Sequence, residues 1–182
     1  MIANGMISST IYKKLRKKVI VDAFSRLGFE KLNSTQMMKL EWEIKKWMPV
    51  TTVAVTTLFN GERILCDHIF SSSVVESSFV EITLESALNL FVLPITVAKC
   101  RKTAEKIYPT LDVYQTILHL IPKIEQIFSY DLTASVRSQA AESLEKLRRI
   151  RECYDDKIPI ADSRWRSPSA HEVCHELHRL PR

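Results

Sequence analysis

The chain has 182 residues, of which 46% are hydrophobic and 26% charged, with a net charge of +5 and only three glycines. This composition is typical of a globular protein, and three scattered glycines exclude the glycine-rich loops that hold nucleotide phosphates. Residues 1–48 hold ten Lys and Arg against four Asp and Glu, residues 49–98 hold one against five, and residues 99–182 hold fifteen against twelve. The basic character therefore lies at the two ends, and the middle of the chain is acidic.

Cysteine spacing and the first residues predict an intracellular protein, either cytoplasmic or nuclear. Cys66, Cys100, Cys153 and Cys174 lie far apart, which favours reduced thiols over a disulfide framework. The first residues lead into a basic run without the apolar core of a secretory signal. The longest apolar-leaning run, residues 87–98, is too short to cross a bilayer core of about 30 Å and predicts a buried helix. We therefore expect neither a signal peptide nor a transmembrane segment.

Two amphipathic helices are predicted at the start of the chain. The first spans residues 8–27 and ends at Gly28, a residue type that suits a helix C-terminus. The second spans residues 35–47 and is stopped by Pro49. The apolar stripe of the first helix recurs at every fourth position in Ile11, Leu15, Val19 and Ala23, and it is widened by Ile20, Phe24 and Leu27.

Residues 50–84 predict a small three-stranded antiparallel sheet. Residues 50–58 are dense in β-branched side chains, which favour strands. Asn60-Gly61 is typical of a type I′ hairpin turn, after which residues 63–70 form the return strand. Residues 79–84 alternate apolar and polar side chains and supply the third strand. The predicted fold class is therefore α+β, mostly α-helical with this one sheet.

Helical periodicity resumes at residue 85 and continues to about residue 153. The pattern predicts helices over residues 85–93, 95–108 and 111–128, with interruptions at Pro94 and Pro109. Residues 1–159 are predicted to form one compact domain. Residues 160–182 are predicted to be a polar, basic tail.

Residues 120–147 predict two helices joined by a tight polar turn. The stretch resembles a HEAT repeat, the helical hairpin that stacks into solenoids. A second copy is not evident in the sequence, so an ordinary helical hairpin remains the alternative. The residues that carry the resemblance are Leu120, Ile121, Pro122, Asp131, Val136, Arg137, Ala140, Ala141, Glu142, Leu144 and Leu147.

Two basic clusters are candidate contacts for nucleic acid or anionic lipid, because both ligands present phosphates to Lys and Arg. Each cluster also has a structural interpretation. The first suits the solvated face of a core-packed helix, and the second lies near a helix C-terminus, where positive charge complements the helix dipole. The first cluster comprises Lys13, Lys14, Arg16, Lys17 and Lys18, and the second comprises Lys146, Arg148, Arg149 and Arg151.

His171-Glu172-Val173-Cys174-His175 matches the HExxH motif of zinc metalloproteases. Two histidines at i and i+4 share a helix face and can bind zinc, with Glu172 as general base. His178 is the only histidine downstream, and its spacing is not that of the third ligand in such enzymes. His171, Cys174, His175 and His178 are therefore metal candidates of the lowest rank, and we predict no cofactor.

Three functions follow in order of preference. The first is a non-catalytic protein–protein interaction or scaffolding protein, with another protein as partner and with self-association as an open alternative. The second is a basic accessory or structural protein of the viral matrix type, which binds RNA or anionic membrane surfaces. The third is a zinc-dependent hydrolase that uses the HExxH motif.

Overall fold

The structure is a computed structural model that describes residues 2–29, 40–99 and 107–155. Within these ranges the chain is almost entirely helical. A π-helical segment, Ala54–Phe59, joins the second and third helices, and a short 3-10 turn, Asp131–Thr133, precedes the last one. The α-helices are α1 (Ile2–Arg26), α2 (Leu40–Val53), α3 (Asn60–Ile69), α4 (Val75–Leu90), α5 (Val92–Lys99), α6 (Ile107–Ile127) and α7 (Ala134–Asp155).

The predicted sheet is absent from the described ranges, so the α+β fold class was wrong. Residues 50–84 instead form the end of α2, the π-helical segment, α3 and much of α4. The reason is that the buried side chains recur every three to four residues, which is the helical period. Burial of this stripe outweighs the weak strand preference of β-branched residues. The buried stripe comprises Val50, Thr51, Ala54, Val55, Phe59, Glu62 and Cys66.

Within the helix, the hydroxyls of two threonines in this stretch find local hydrogen-bond partners. Thr52 Oγ1 donates to the Met48 carbonyl at 3.0 Å, and Thr56 Oγ1 donates to the Thr52 carbonyl at 2.7 Å. These bonds to the carbonyl four residues back are characteristic of threonine inside a helix. Gly61 lies within α3, and the only described residue with positive φ is Gly28. The hairpin predicted at Asn60-Gly61 was therefore wrong as well.

Two of the prolines lie inside helices that continue past them. α2 runs through Pro49, whose ring is exposed, and α6 runs through the exposed Pro122. Since an exposed ring avoids the tightly packed side of the helix, water can solvate the carbonyl that lacks its usual N–H partner. Pro94 is the third residue of α5, where the first turn tolerates proline. The prediction that Pro49 ends its helix was therefore wrong.

α1 ends as predicted, and it buries only part of the predicted apolar stripe. Gly28, at φ +75°, donates to the Ser25 carbonyl, and Phe29 donates to the Phe24 carbonyl, both at 2.9 Å. This bond pattern is the Schellman motif. The core residues of α1 are Ile20 and Phe24, which widen the predicted stripe, whereas Ile11, Leu15 and Val19 of the same stripe are 61%, 57% and 41% exposed.

Two apolar clusters form the core of the bundle. The first is centred on Phe59, Phe79 and Phe128, and the rings of Phe59 and Phe128 lie 5.4 Å apart. The second joins α2, α5, α6 and α7 around Trp47, whose indole N–H donates to the Leu90 carbonyl at 2.8 Å. α4 packs against α1, α3, α5 and α7, so it is the central helix.

The helical hairpin predicted from the HEAT resemblance is present. α6 and α7 pack against each other more extensively than any other pair of described helices. Ala140 is fully buried in the first cluster, while the adjacent Ala141 is exposed. Small size is therefore required at the buried residue 140 and is not required at the exposed residue 141.

Candidate protein-interaction surface

The basic cluster of α1 is held to the bundle by a buried acid on α3. Arg16 Nη2 lies 2.7 Å from Glu62 Oε2, and Arg16 Nε donates to the same carboxylate at 3.0 Å. Glu62 is only 1% exposed, so its charge requires this partner. The hydrogen bond to Glu62 also raises the pKa of Arg16. Sequence reasoning missed Glu62, and the one signal available was its place in the helical stripe between Phe59 and Cys66.

Two further cations of the cluster are neutralised by acids of α4. Lys13 pairs with Glu81, and Lys17 Nζ lies 3.1 Å from Glu85 Oε2. The pairs follow the contact between α1 and α4, so they lie along the packed side of α1. Three of the five predicted contact residues therefore serve the internal packing of the bundle.

Lys14 and Lys18 are exposed and form no ion pair within the described part of the chain. They lie on the side of α1 that faces away from α4, together with Ile11, Leu15 and Val19. We call these five residues the outer face of α1. This face combines exposed apolar side chains with two cations whose charge is not neutralised by the fold.

The second basic cluster is neutralised along α7 itself. Arg149 Nε lies 2.9 Å from Glu145 Oε1, and Arg148 Nε lies 2.8 Å from Glu145 Oε2. These two hydrogen bonds lower the pKa of Glu145 to about 2. Lys146 pairs with Glu142, and the Arg151 guanidinium lies 5.6 Å from the centre of the Tyr114 ring. Whether either cluster contacts nucleic acid or lipid stays a prediction.

A polar clasp joins α3 to the turn between α6 and α7. The Arg63 guanidinium lies 3.7 Å from the centre of the Tyr130 ring and donates to the Ile127 carbonyl at 2.9 Å. Tyr130 Oη donates to Asp67 Oδ1 at 2.7 Å, and Arg63 also pairs with Asp67 at 3.0 Å. Partial burial, followed by the hydrogen bond to Asp67, raises the pKa of Tyr130 to about 12. The phenol therefore remains a hydrogen-bond donor at neutral pH.

α4 and α7 hold the same turn from the other side. The Leu132 N–H donates to Glu76 Oε1 at 2.7 Å. Arg137 donates to the carbonyls of Phe128 and Tyr130, the latter at 2.8 Å. Because these bonds satisfy polar backbone groups of the turn that follows α6, the hairpin has a defined geometry.

A second exposed apolar face lies on α3. Ile64, Leu65 and Ile69 are 52%, 37% and 50% exposed. Beside them lies the exposed His68, whose Nδ1 is 2.9 Å from the Ile64 carbonyl oxygen. The charged neighbours of this face on α3, Arg63 and Asp67, pair with each other in the clasp. The face therefore has no net charge, in contrast to the outer face of α1.

The described residues form no metal-binding cluster, and the thiol of Cys66 is unreactive. They contain no group of three or more His, Cys, Asp and Glu side chains able to hold a metal ion. The Cys66 thiol is fully buried, and burial raises its pKa to about 12, so it is not a nucleophile at neutral pH. The metal candidates of the sequence, His171, Cys174, His175 and His178, lie outside the described residues, as does the predicted tail at 160–182.

The central helices are apolar enough to resemble a membrane span. Val75–Lys99 has a mean hydropathy of 1.5 over its most apolar window, and by length and composition alone it could cross a bilayer. Half of that window is buried inside the bundle, with Phe79, Ile82 and Leu90 at most 1% exposed. The apolar character of α4 and α5 is thus accounted for by the core, as predicted for residues 87–98.

Comparison with known proteins identifies relatives for most of the chain. A family model for the C-terminal part of the Exo70 exocyst complex subunit matches residues 45–153. Exocyst complex component EXO70B1 of Arabidopsis thaliana is 31% identical over 150 residues, which cover 79% of this chain and 24% of the relative. EXO70A1 of the same plant is 30% identical over 144 residues, covering 75% and 23%. The chain therefore spans about a quarter of the length of these curated relatives.

Proposed function

This chain belongs to the family defined by the C-terminal part of Exo70, a subunit of the exocyst complex, and from that premise we propose that it is a non-catalytic, protein-binding component of an exocyst-type complex. The names of its relatives describe exocyst complex components. The helical hairpin of α6 and α7 is therefore attributed to the Exo70 family and not to the HEAT family. An intracellular location and a compact unit over residues 1–159 are part of the same proposal.

One observation supports protein binding over phosphate binding. The fold neutralises Lys13, Arg16 and Lys17 with acids of α3 and α4, and it leaves Ile11 and Leu15 more than half exposed. Nucleic-acid binding depends on several cations that are free to replace counterions on phosphates. Exposed apolar side chains grouped on one helix face are instead characteristic of protein interfaces.

Reconstitution tests the proposal. The full chain is mixed with the other purified components of an exocyst complex, and the mixture is resolved by size-exclusion chromatography. We expect the chain to elute with the complex at physiological ionic strength, because an apolar interface depends weakly on salt.

Two controls make this test decisive. An equal amount of chain without the components shows the elution volume of the free protein. A chain that elutes at that same volume in the presence of every component contradicts the proposed function. Binding to the RNA polyuridine that weakens steeply with salt would instead favour the second function of the sequence analysis.

A further inference from the structure

The outer face of α1 has the spacing of a helix-binding surface. Ile11, Leu15 and Val19 follow one another at four-residue steps and are 61%, 57% and 41% exposed. At a rise of about 1.5 Å per residue, they form a row about 12 Å long. The opposite side of the helix is already used, because Ile20 and Phe24 are buried against the bundle. No described residue covers the row.

Charge on this face is positive and localised. Lys14 and Lys18 lie four residues apart, so they flank the apolar row on one side. Asp22 and Arg26 follow on the same helix and offset each other in sign. The other cations of the cluster are neutralised by Glu81, Glu62 and Glu85. Lys14 and Lys18 therefore supply the net charge of the outer face.

We propose that the outer face of α1 binds an amphipathic helix of another component of the complex, whose apolar side chains cover Ile11, Leu15 and Val19 and whose carboxylates pair with Lys14 and Lys18. This inference rests on the proposed function and adds the chemistry of the partner. An acidic, apolar helix complements both properties of the face.

Other occupants match the face less well. A second copy of this chain that paired through the same face would bring its own Lys14 and Lys18 against these two cations, which is repulsive. The affinity for nucleic acid rises with the number of phosphates that free Lys and Arg neutralise, and this face has only two free lysines. Each lysine near an anionic membrane surface contributes only about 1 kcal/mol to the binding free energy, so two lysines bind such a membrane weakly.

Site-specific cross-linking in the reconstituted complex tests the proposal. The full chain carries the photo-reactive residue p-benzoylphenylalanine in place of Ile11, and the cross-linked peptide is sequenced after irradiation. We expect a single cross-linked component, with the attachment on a segment that has apolar residues at helical spacing and Asp or Glu beside them. A cross-link to a basic or uncharged segment overturns the inference.

Substitutions measure the contribution of the face to binding. Leu15→Glu and the pair Lys14→Glu with Lys18→Glu should each weaken binding to the cross-linked component by about tenfold or more, because each places like charge or unpaired charge in the interface. Lys146→Glu on α7 is the control and should leave binding unchanged. Reversing the partner's carboxylates to lysine should restore binding to the Lys14→Glu/Lys18→Glu chain. Circular dichroism confirms that each variant is folded.

The outcomes separate this inference from the proposed function. If the complex forms but Leu15→Glu binds like the wild type, the inference fails and the proposed function holds. If the complex does not form with the wild-type chain, both fail. If Leu15→Glu abolishes flotation with phosphatidylcholine–phosphatidylserine vesicles while the complex is unaffected, the occupant is a membrane and the inference is overturned. Self-association lost in the same variant would equally overturn it in favour of a second copy.

Discussion

α1 and α7 each carry a cluster of basic residues that looks alike in the sequence, yet the ion-pair partners of the two clusters differ. The cations of α7 pair with Glu142, Glu145 and Glu152 of the same helix, three or four residues away. Those of α1 pair with Glu62 and Glu81, which lie 46 and 68 residues away in the chain. Pairs within one helix hold surface charges in place, whereas pairs between helices fix the position of one element on another.

Burial decides which pairs matter for stability. Glu62 is 1% exposed, so the Arg16–Glu62 pair has little screening by water. On α7 the side chains of Arg149 and Glu145 are 72% and 42% exposed, where ion pairs contribute little. We therefore expect substitutions in α1 to affect folding and equivalent substitutions in α7 to leave it unchanged.

The largest effect is expected for Arg16→Met. This change leaves the Glu62 carboxylate buried without its counter-charge, which should lower the free energy of unfolding by about 3–5 kcal/mol in urea denaturation. The double variant Arg16→Met/Glu62→Leu removes both charges and should recover most of that loss. A single variant that unfolds at the wild-type urea concentration would show that α1 does not depend on this pair.

The next largest effect is expected at the core-packed side of α7, because packing and not ion pairing holds this helix in the bundle. Ala140→Leu adds a large side chain at a fully buried position and should cost about 1–3 kcal/mol by overpacking. Ala141→Leu is the matched control, because this neighbouring position is exposed and the change should alter the free energy of unfolding by less than about 0.5 kcal/mol. Equal urea midpoints for the two variants would contradict the packing of α7 against α6.

A smaller effect tests whether residue 62 lies on a helix, as its pairing with α1 requires. Gly61→Ala should raise the free energy of unfolding by about 0.5–1 kcal/mol, because alanine favours the helix and an added Cβ has no neighbour within 4 Å. Gly28→Ala should be destabilising, since φ is +75° there and a Cβ would lie 2.8 Å from Lys46 Cε. Destabilisation by Gly61→Ala would restore the hairpin interpretation.

The smallest effect on stability is expected for the exposed ion pairs of α7. Arg149→Ala and Lys146→Ala should leave the urea midpoint unchanged at low and high salt. Hydrogen bonds from Arg148 and Arg149 lower the pKa of Glu145 from 4.5 to about 2. Because the folded value is the lower one, any contribution of Glu145 to stability is present above pH 4.5 and is lost as the pH falls towards 2.

Carboxyl NMR measures this titration directly. The midpoint for Glu145 should rise towards 4.5 in the Arg148→Ala/Arg149→Ala variant, without loss of the fold. A wild-type midpoint already near 4.5 would show that the arginines do not hold this carboxylate.

The local sequence pattern predicted the helical hairpin of residues 120–147 correctly and the structure of residues 50–84 incorrectly. Around residues 120–147, helical spacing, the polar turn and small Ala140 all indicated the same structure. In residues 50–58 the two signals disagreed, because β-branched composition favoured a strand while the apolar spacing favoured a helix. The strand prediction rests on composition alone, and burial of Val55 and Phe59 on one helical face shows that spacing is the stronger signal.

The candidate surface could be predicted only in part. Lys14 and Lys18 were among the predicted contact residues, and they remain exposed in the fold. Arg16 was predicted beside them, although its partner Glu62 comes from another helix and makes it a packing residue. Ile11, Leu15 and Val19 were assigned to the core, since a helix with apolar residues on two sides does not reveal which side faces the bundle.

The sequence by itself determined the helical hairpin, the end of α1 at Gly28 and the local ion pairs of α7, because these depend on residues within about one or two helical turns of each other. Only the tertiary structure decided the helical state of residues 50–84, the buried side of α1 and which cations remain free. Each of these depends on what a distant segment places against the residue: the carboxylate of Glu62 against Arg16, or the aromatic rings around Phe59. Burial and pairing across the fold are properties of the assembled bundle, and local spacing does not contain them.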